Sequence, residues 1–132
     1  MNIKELCDTV RQTSYEIHCY LGVGYLEKVY ENALVHRLQK KGFDAKAQVP
    51  LEVHDEDATI IGDYFADVIV NDTLIVELKA CNDLSKSHEA QLFNYLKTTS
   101  IEHGLLINFG SEKFQIKKYI FENKDFINQK TK

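Results

Sequence analysis

Asp67, Glu77 and Lys79 bracket the stretch "DVIVNDTLIVELKA", residues 67 to 80. Two apolar segments are joined by a short polar turn, so the three charges stand on what reads as a central hairpin. Side chains alternate faces along a strand. Ile75, Glu77 and Lys79 therefore share one face, and Asp67 shares a face with Ile69 on the strand before. The turn decides whether the carboxylates meet. A two-residue loop at Asn71-Asp72 pairs Val70 with Thr73 and sends Glu77 away from Asp67. A three-residue loop centred on Asp72 pairs Val70 with Leu74 and sets Asp67 opposite Glu77, about 5 Å apart at the Cβ atoms. Two carboxylates that close repel unless one is protonated or a cation lies between them. The cation is the expectation, and with it the three-residue loop or an equivalent bulge. Hard cations such as Mg²⁺ and Mn²⁺ take carboxylate, carbonyl and water oxygens. Asp67 and Glu77 would supply two carboxylates and the Leu78 carbonyl a third oxygen. Lys79 would add an ammonium that can hold an attacking water or a phosphate oxygen.

Two further polar residues are oddly placed. On a helical wheel begun at Leu26, an apolar arc runs through Val29, Ala33, Leu26, Tyr30, Leu34 and Leu38. Glu27 falls inside that arc and Glu31 at its edge. A buried unpaired charge is expensive, so Glu27 needs a partner there; the alternative is a helix-start glutamate drawn to the dipole. Gln91 shares a helical face with His88 and Tyr95, beside Leu92, and its amide can bond a phosphate or a carboxylate. Each feature is weak alone, and a bare Glu-x-Lys is common. A third reading is a plain structural role, with the hairpin charges forming an internal ion-pair network. What separates the readings is the conjunction of Glu27, Asp67, Glu77, Lys79 and Gln91 at inward-facing positions.

The elements that must carry them follow from period and punctuation. Ile3, Leu6, Cys7, Val10, Ile17 and Leu21 fall at helical spacing, ended by Gly22 and Gly24. A second helix runs from about Leu26 to Lys41 and stops at Gly42. The period then changes to two from Phe43 to Val53, a half-buried strand in which Pro50 favours an edge or a bulge. A strand from about Thr59 to Val70, interrupted near Gly62, leads to the hairpin and to Leu74 to Ala80. A helix over Lys86 to Thr99 follows, then a nearly continuous apolar strand "GLLINFG" and a last strand "FQIKKYIF". The order is α-α-β-β-β-α-β-β. A helix between the Leu74 and Leu105 strands is the crossover a parallel pair requires, which predicts an α/β fold with a mixed sheet flanked by helices.

With 132 residues, 44% hydrophobic and 27% charged, the chain reads as one globular domain. Residues 1–122 are assigned to it and 123–132 to a polar tail. A net charge of −4 argues against a protein that simply coats nucleic acid, which needs Lys and Arg to displace counterions. It leaves room for local basic surface, such as the six lysines from Lys113 to Lys132, and for carboxylates offset by a bound metal. Cys7, Cys19 and Cys81 lack metal-ligand spacing and read as free thiols of a reducing compartment, the cytoplasm. No apolar run reaches the roughly 18 residues of a membrane span, and the charged N-terminus is not a signal peptide.

In "GYLEKVYENAL" (Gly24, Glu27, Tyr30, Leu34), "FADVIV" (Asp67), "LIVELKA" (Glu77, Lys79), "HEAQLFNYLK" (His88, Gln91, Tyr95) and "GLLINFG", the chain resembles the PD-(D/E)xK nuclease superfamily, and within it the small GxxExxY proteins. The words span about residues 10 to 121. Ala66 stands where the superfamily's name has proline. The resemblance implies a restriction-endonuclease-like fold and a Mg²⁺-dependent (or Mn²⁺-dependent) nuclease acting on DNA. It implies that Asp67, Glu77 and Glu27 bind the metal, that Lys79 orients the nucleophilic water, and that Gln91, Tyr95 and Tyr30 position the site or the substrate. A homodimer or a protein partner would supply specificity. The alternative is a nuclease-like module that binds nucleic acid or a protein without cutting.

Overall fold

Helical periodicity and glycine punctuation shape the N-terminal third. The computed structural model describes residues 1–122; the expected polar tail, 123–132, lies outside the described residues. Helix α1 (Ile3–Leu21) opens with a reciprocal cap: the Asn2 side chain accepts the Glu5 N–H, and the Glu5 carboxylate accepts the Asn2 N–H. It ends at Gly22, where a φ of 70° turns the chain toward α2 (Glu27–Lys40). Tyr30, Glu31, Leu34 and Leu38 form the buried line of α2.

Five strands follow in the expected order: β1 (Ala45–His54), β2 (Ile60–Val70), β3 (Leu74–Lys79), β4 (His103–Asn108) and β5 (Gln115–Ile120), with α3 (Lys86–Thr99) between β3 and β4. They form one mixed sheet in the order β1-β2-β3-β4-β5. Only β3 and β4 are parallel, and α3 is their crossover. Pro50 sits on an edge strand, where its missing N–H costs least. One expectation is corrected in part. β2 is one continuous strand rather than two, and the irregularity expected near Gly62 is a bulge: Gly62 pairs with Val53, Ile60 with His54, and Ile61 between them is skipped.

The sheet separates two apolar layers. Val68, Val70, Leu74, Val76 and Leu78 pack with α1 and α2, whereas Ile69, Ile75 and Leu106 pack with Leu92, Tyr95 and Leu96 of α3. The outer strands change faces midway. Ala45 packs in the α1/α2 layer, but Leu51, six residues on and of the same parity, packs in the α3 layer. Ala66 and Val68 part in the same way. The switch falls at Gln48, whose φ is 51°, and at Asp67 across from it. The β1–β2 pairing skips this pair, passing from Ala47↔Val68 to Val49↔Ala66. The even alternation expected from Phe43 to Val53 is broken there, and Ala47 is exposed.

Candidate active site

The hairpin turn settles the register. Val70 pairs with Leu74, Ile69 with Ile75 and Val68 with Val76. The loop is therefore the three-residue one. Thr73 N–H donates to the Val70 carbonyl at 3.1 Å, and Asn71 and Asp72 take φ values of 52° and 55°, a conformation that Asn and Asp tolerate better than most residues. Beyond Val68 and Val76 the strands part: β2 continues beside β1, and β3 beside β4. Asp67 and Glu77 stand at this fork.

A fork strands backbone N–H groups that a ladder would have paired, and buried unpaired N–H groups are costly. Here each carboxylate takes one from the opposite strand. Asp67 N–H donates to Glu77 Oε1 at 2.9 Å, and Leu78 N–H donates to Asp67 Oδ2 at 2.9 Å. Glu77 is 3% exposed. Burial, then the charge of Asp67, pushes its pKa up to about 9, against the Asp67 N–H bond and Lys79. Lys79 follows on β3, and its Nζ donates to Gln91 Oε1 at 3.5 Å. Gln91 Nε2 donates in turn to Tyr95 Oη at 2.9 Å. Ammonium, amide and phenol thus form a file from the fork to α3. His88 lies one turn before Gln91; its Nδ1 accepts the Ser85 N–H, completing the α3 cap.

A family model for the PD-(D/E)XK nuclease superfamily matches residues 4–119. The chain belongs to the PD-(D/E)XK nuclease superfamily. The crystal structure of SSO0001 shares the fold, with a TM-score of 0.59 at 16% identity over 79% of this chain. The matched region is 55% of that protein's length. No curated protein matches. The three helices and the five-stranded mixed sheet are the restriction-endonuclease-like arrangement.

Within this PD-(D/E)XK domain the fork offers oxygen donors suited to a hard divalent cation. A nearly buried carboxyl with a raised pKa is what a cation beside it would return to the ionised form. Mg²⁺ commonly binds through one or two carboxylates and completes its shell with water and phosphate oxygens. Asp67 and Glu77 would hold it. The third expected carboxylate does not close the set: among the described residues, no three His, Cys, Asp or Glu side chains gather tightly enough to hold a metal. Glu27 is the first residue of α2, on the opposite layer from α3, and is exposed. It still senses the fork. Partial loss of solvent raises its pKa, Lys79 opposes, and Asp67 and Glu31 add to the rise.

The buried acid of α2 is Glu31, at 3% exposure, where the wheel had placed it at the arc's edge; Leu26 and Val29 are exposed instead. The wheel treated all apolar residues alike, but α2 is seated through Tyr30, Leu34 and Leu38, which turns Glu31 inward. Lys28 Nζ and Gln48 Nε2 both donate to Glu31. The same Gln48 amide reaches Asp67 Oδ1 at 3.4 Å. Gln48 thus joins α2 to the fork; in the sequence it falls on the polar phase of the period-two strand, so the pattern carries no signal for it.

Tyr30, expected to position substrate, reaches no surface. It is 0% exposed, donates through Oη to the Gly22 carbonyl at 2.6 Å, and stacks on Phe109 at 4.8 Å between ring centroids. It fixes the α1–α2 turn that brings Glu27 in. Asn108, unmarked in the sequence, is wholly buried at the end of β4. Its Nδ2 donates to the Cys81 carbonyl and to Gln115 Oε1, both at 2.9 Å. Its Oδ1 accepts the N–H groups of Cys81 at 3.1 Å and Gly110 at 2.9 Å. It clamps the chain just past Lys79.

Proposed function

We propose that this PD-(D/E)XK domain, a member of the small GxxExxY group, is a nuclease that hydrolyses phosphodiester bonds of DNA with Mg²⁺ or Mn²⁺. The observation that carries this reading is the fork itself: two facing carboxylates with a lysine two residues on, tied to Gln91. A divalent ion, when bound, would supply Lewis-acid polarisation of the phosphate and a more acidic water. Asp67 supplies the negative charge that attracts the ion, and Glu77 adds a second when the ion displaces its proton. Lys79, kept in place by Gln91, offers an N–H to a phosphate oxygen or to water. Tyr95 anchors Gln91 from behind. Glu27 faces the fork from α2 and can orient a water.

The reading includes a cytoplasmic location, supported by the free cysteines Cys7, Cys19 and Cys81, and a homodimer or protein partner that supplies specificity. Among the described residues no helix is long and apolar enough to cross a membrane.

The test is cleavage of single-stranded, duplex and branched DNA with Mg²⁺ or Mn²⁺. Glu77→Ala and Lys79→Ala are each expected to lower the rate by about 100-fold or more while far-UV circular dichroism stays unchanged. Absence of cleavage of every form by the wild type sinks the proposal. A second reading, a nuclease-fold module that binds nucleic acid or a protein without cutting, draws on the backbone bonds of Asp67 and Glu77, which give the pair a structural task. Calorimetry with Mn²⁺ separates the two: heat that disappears in Glu77→Ala favours the enzyme, and no heat favours the module.

A further inference from the structure

Past the fork, β1 and β2 run on as a two-stranded arm. A lone hairpin is marginal in water, yet this one carries Ile60, Ile61, Tyr64 and Phe65 at 48% to 61% exposure. Helix α3 runs alongside it. Between arm and helix lies a cleft of about 950 Å³, walled by Tyr64, Tyr95, Gln91, Asn94, Ile61 and His54 among others.

Three features limit what this cleft can take. Its size is near the top of the roughly 300–1,000 Å³ of small-ligand sites, room for a few unstacked nucleotides but not for a duplex, which must lie across an open surface. The full charges of its wall are Glu52 and Lys97, one of each sign. Such a wall cannot neutralise a row of phosphates, the main source of duplex affinity. It does offer ring faces and amides. Tyr64 is half exposed, with its ring centroid 6.0 Å from that of Tyr95, and Asn94 is an exposed amide on α3. Gln91 belongs both to this wall and to the Lys79 file, so one side chain links the cleft to the lysine of the fork.

We propose that the cleft binds single-stranded nucleic acid, with a base stacked on Tyr64 and the amides of Gln91 and Asn94 bonding base edges. The strand's backbone then leads to Asp67, Glu77 and Lys79. This rests on the phosphodiester reading of the fork and adds the substrate class. Stacking tolerates any sequence, since every base has a π-face.

The test is fluorescence anisotropy on the full chain in EDTA, so that binding is read without cleavage. The probes are a short labelled oligo-dT and the matching duplex. The wild type is expected to bind the oligo at least about 10-fold tighter than the duplex, and Tyr64→Ala to weaken oligo binding by about 10-fold. Tyr64→Phe, which keeps the ring, should bind nearly as the wild type. Asn94→Ala, an exposed change on α3, should also weaken the oligo and covers the case in which Tyr64→Ala disturbs the arm. Duplex binding equal to oligo binding overturns the proposal, as do Tyr64→Ala and Asn94→Ala proteins that bind like the wild type. Oligo binding that needs Tyr64, without cleavage in Mg²⁺ or Mn²⁺, upholds the cleft and removes the hydrolysis reading. Duplex cleavage that ignores Tyr64 does the reverse.

Discussion

Gln48 shows how much a single side chain can carry at a strand irregularity. Its backbone sits at a φ of 51°, a conformation that costs a residue with a Cβ about 1 kcal/mol or more. In return its amide reaches both Glu31 and Asp67. Replacement by alanine keeps the backbone cost and removes the bonds, leaving the buried Glu31 with Lys28. Gln48→Ala is therefore expected to lose about 1–2 kcal/mol in urea denaturation. Gln48→Gly loses the same bonds but relaxes the backbone, and should recover about 1 kcal/mol of that loss. A Gln48→Gly protein less stable than Gln48→Ala would show that the positive φ is not what the position costs. This residue was invisible beforehand because strand patterning has no mark for a left-handed interruption. Glu77 and Lys79 were legible because charges among apolar residues on a central strand stand out against period two.

At the scale of elements, the helices were readable almost to the residue. α1 and α3 have the limits their apolar spacing and caps imply, and the parallel β3–β4 pair follows from the length of the crossover. Less readable was how each element is rolled. α2 buries Glu31 and exposes Leu26, because its seat is set by Tyr30 against Phe109, a partner just past β4 that is remote in sequence. The end of β4 carries a second long-range constraint. A Cβ on Gly110 would lie 2.3 Å from the Cys81 nitrogen and 2.4 Å from the Ala80 carbonyl carbon, both backbone atoms that cannot swing aside. Phe109 N–H also donates to the Lys79 carbonyl at 2.8 Å. Gly110→Ala must therefore push the ends of β3 and β4 apart, at a cost of about 1–3 kcal/mol, and displace Lys79 from Gln91. Denaturation should show the loss, and DNA cleavage should fall further than the lowered stability accounts for. A Gly110→Ala protein with wild-type stability and rate would mean that the strand ends separate freely.

For the molecule as a whole, the fork ties stability to pH and, on the proposed nuclease reading, to metal. Most of the sheet is apolar and indifferent to protons, so the buried Glu77 stands out. Its pKa rises on folding from 4.5 to about 9, so the folded state holds a proton that the unfolded chain releases. The sign follows from linkage: this contribution is fully present below the unfolded value and is lost as pH climbs through the folded one. Metal-free protein should accordingly melt at progressively lower temperature from about pH 5 to about pH 9. Glu77→Gln, which stays neutral, should flatten that slope. A divalent ion binds the ionised form, so Mn²⁺ should raise the melting temperature at about pH 8 far more than at about pH 5, where it must displace the proton first. The Glu77→Gln protein should show neither response. Wild-type melting that is flat with pH, or a Mn²⁺ effect equal at both pH values, would mean that Glu77 ionises in the fork unaided, and that the two carboxylates need no cation to coexist.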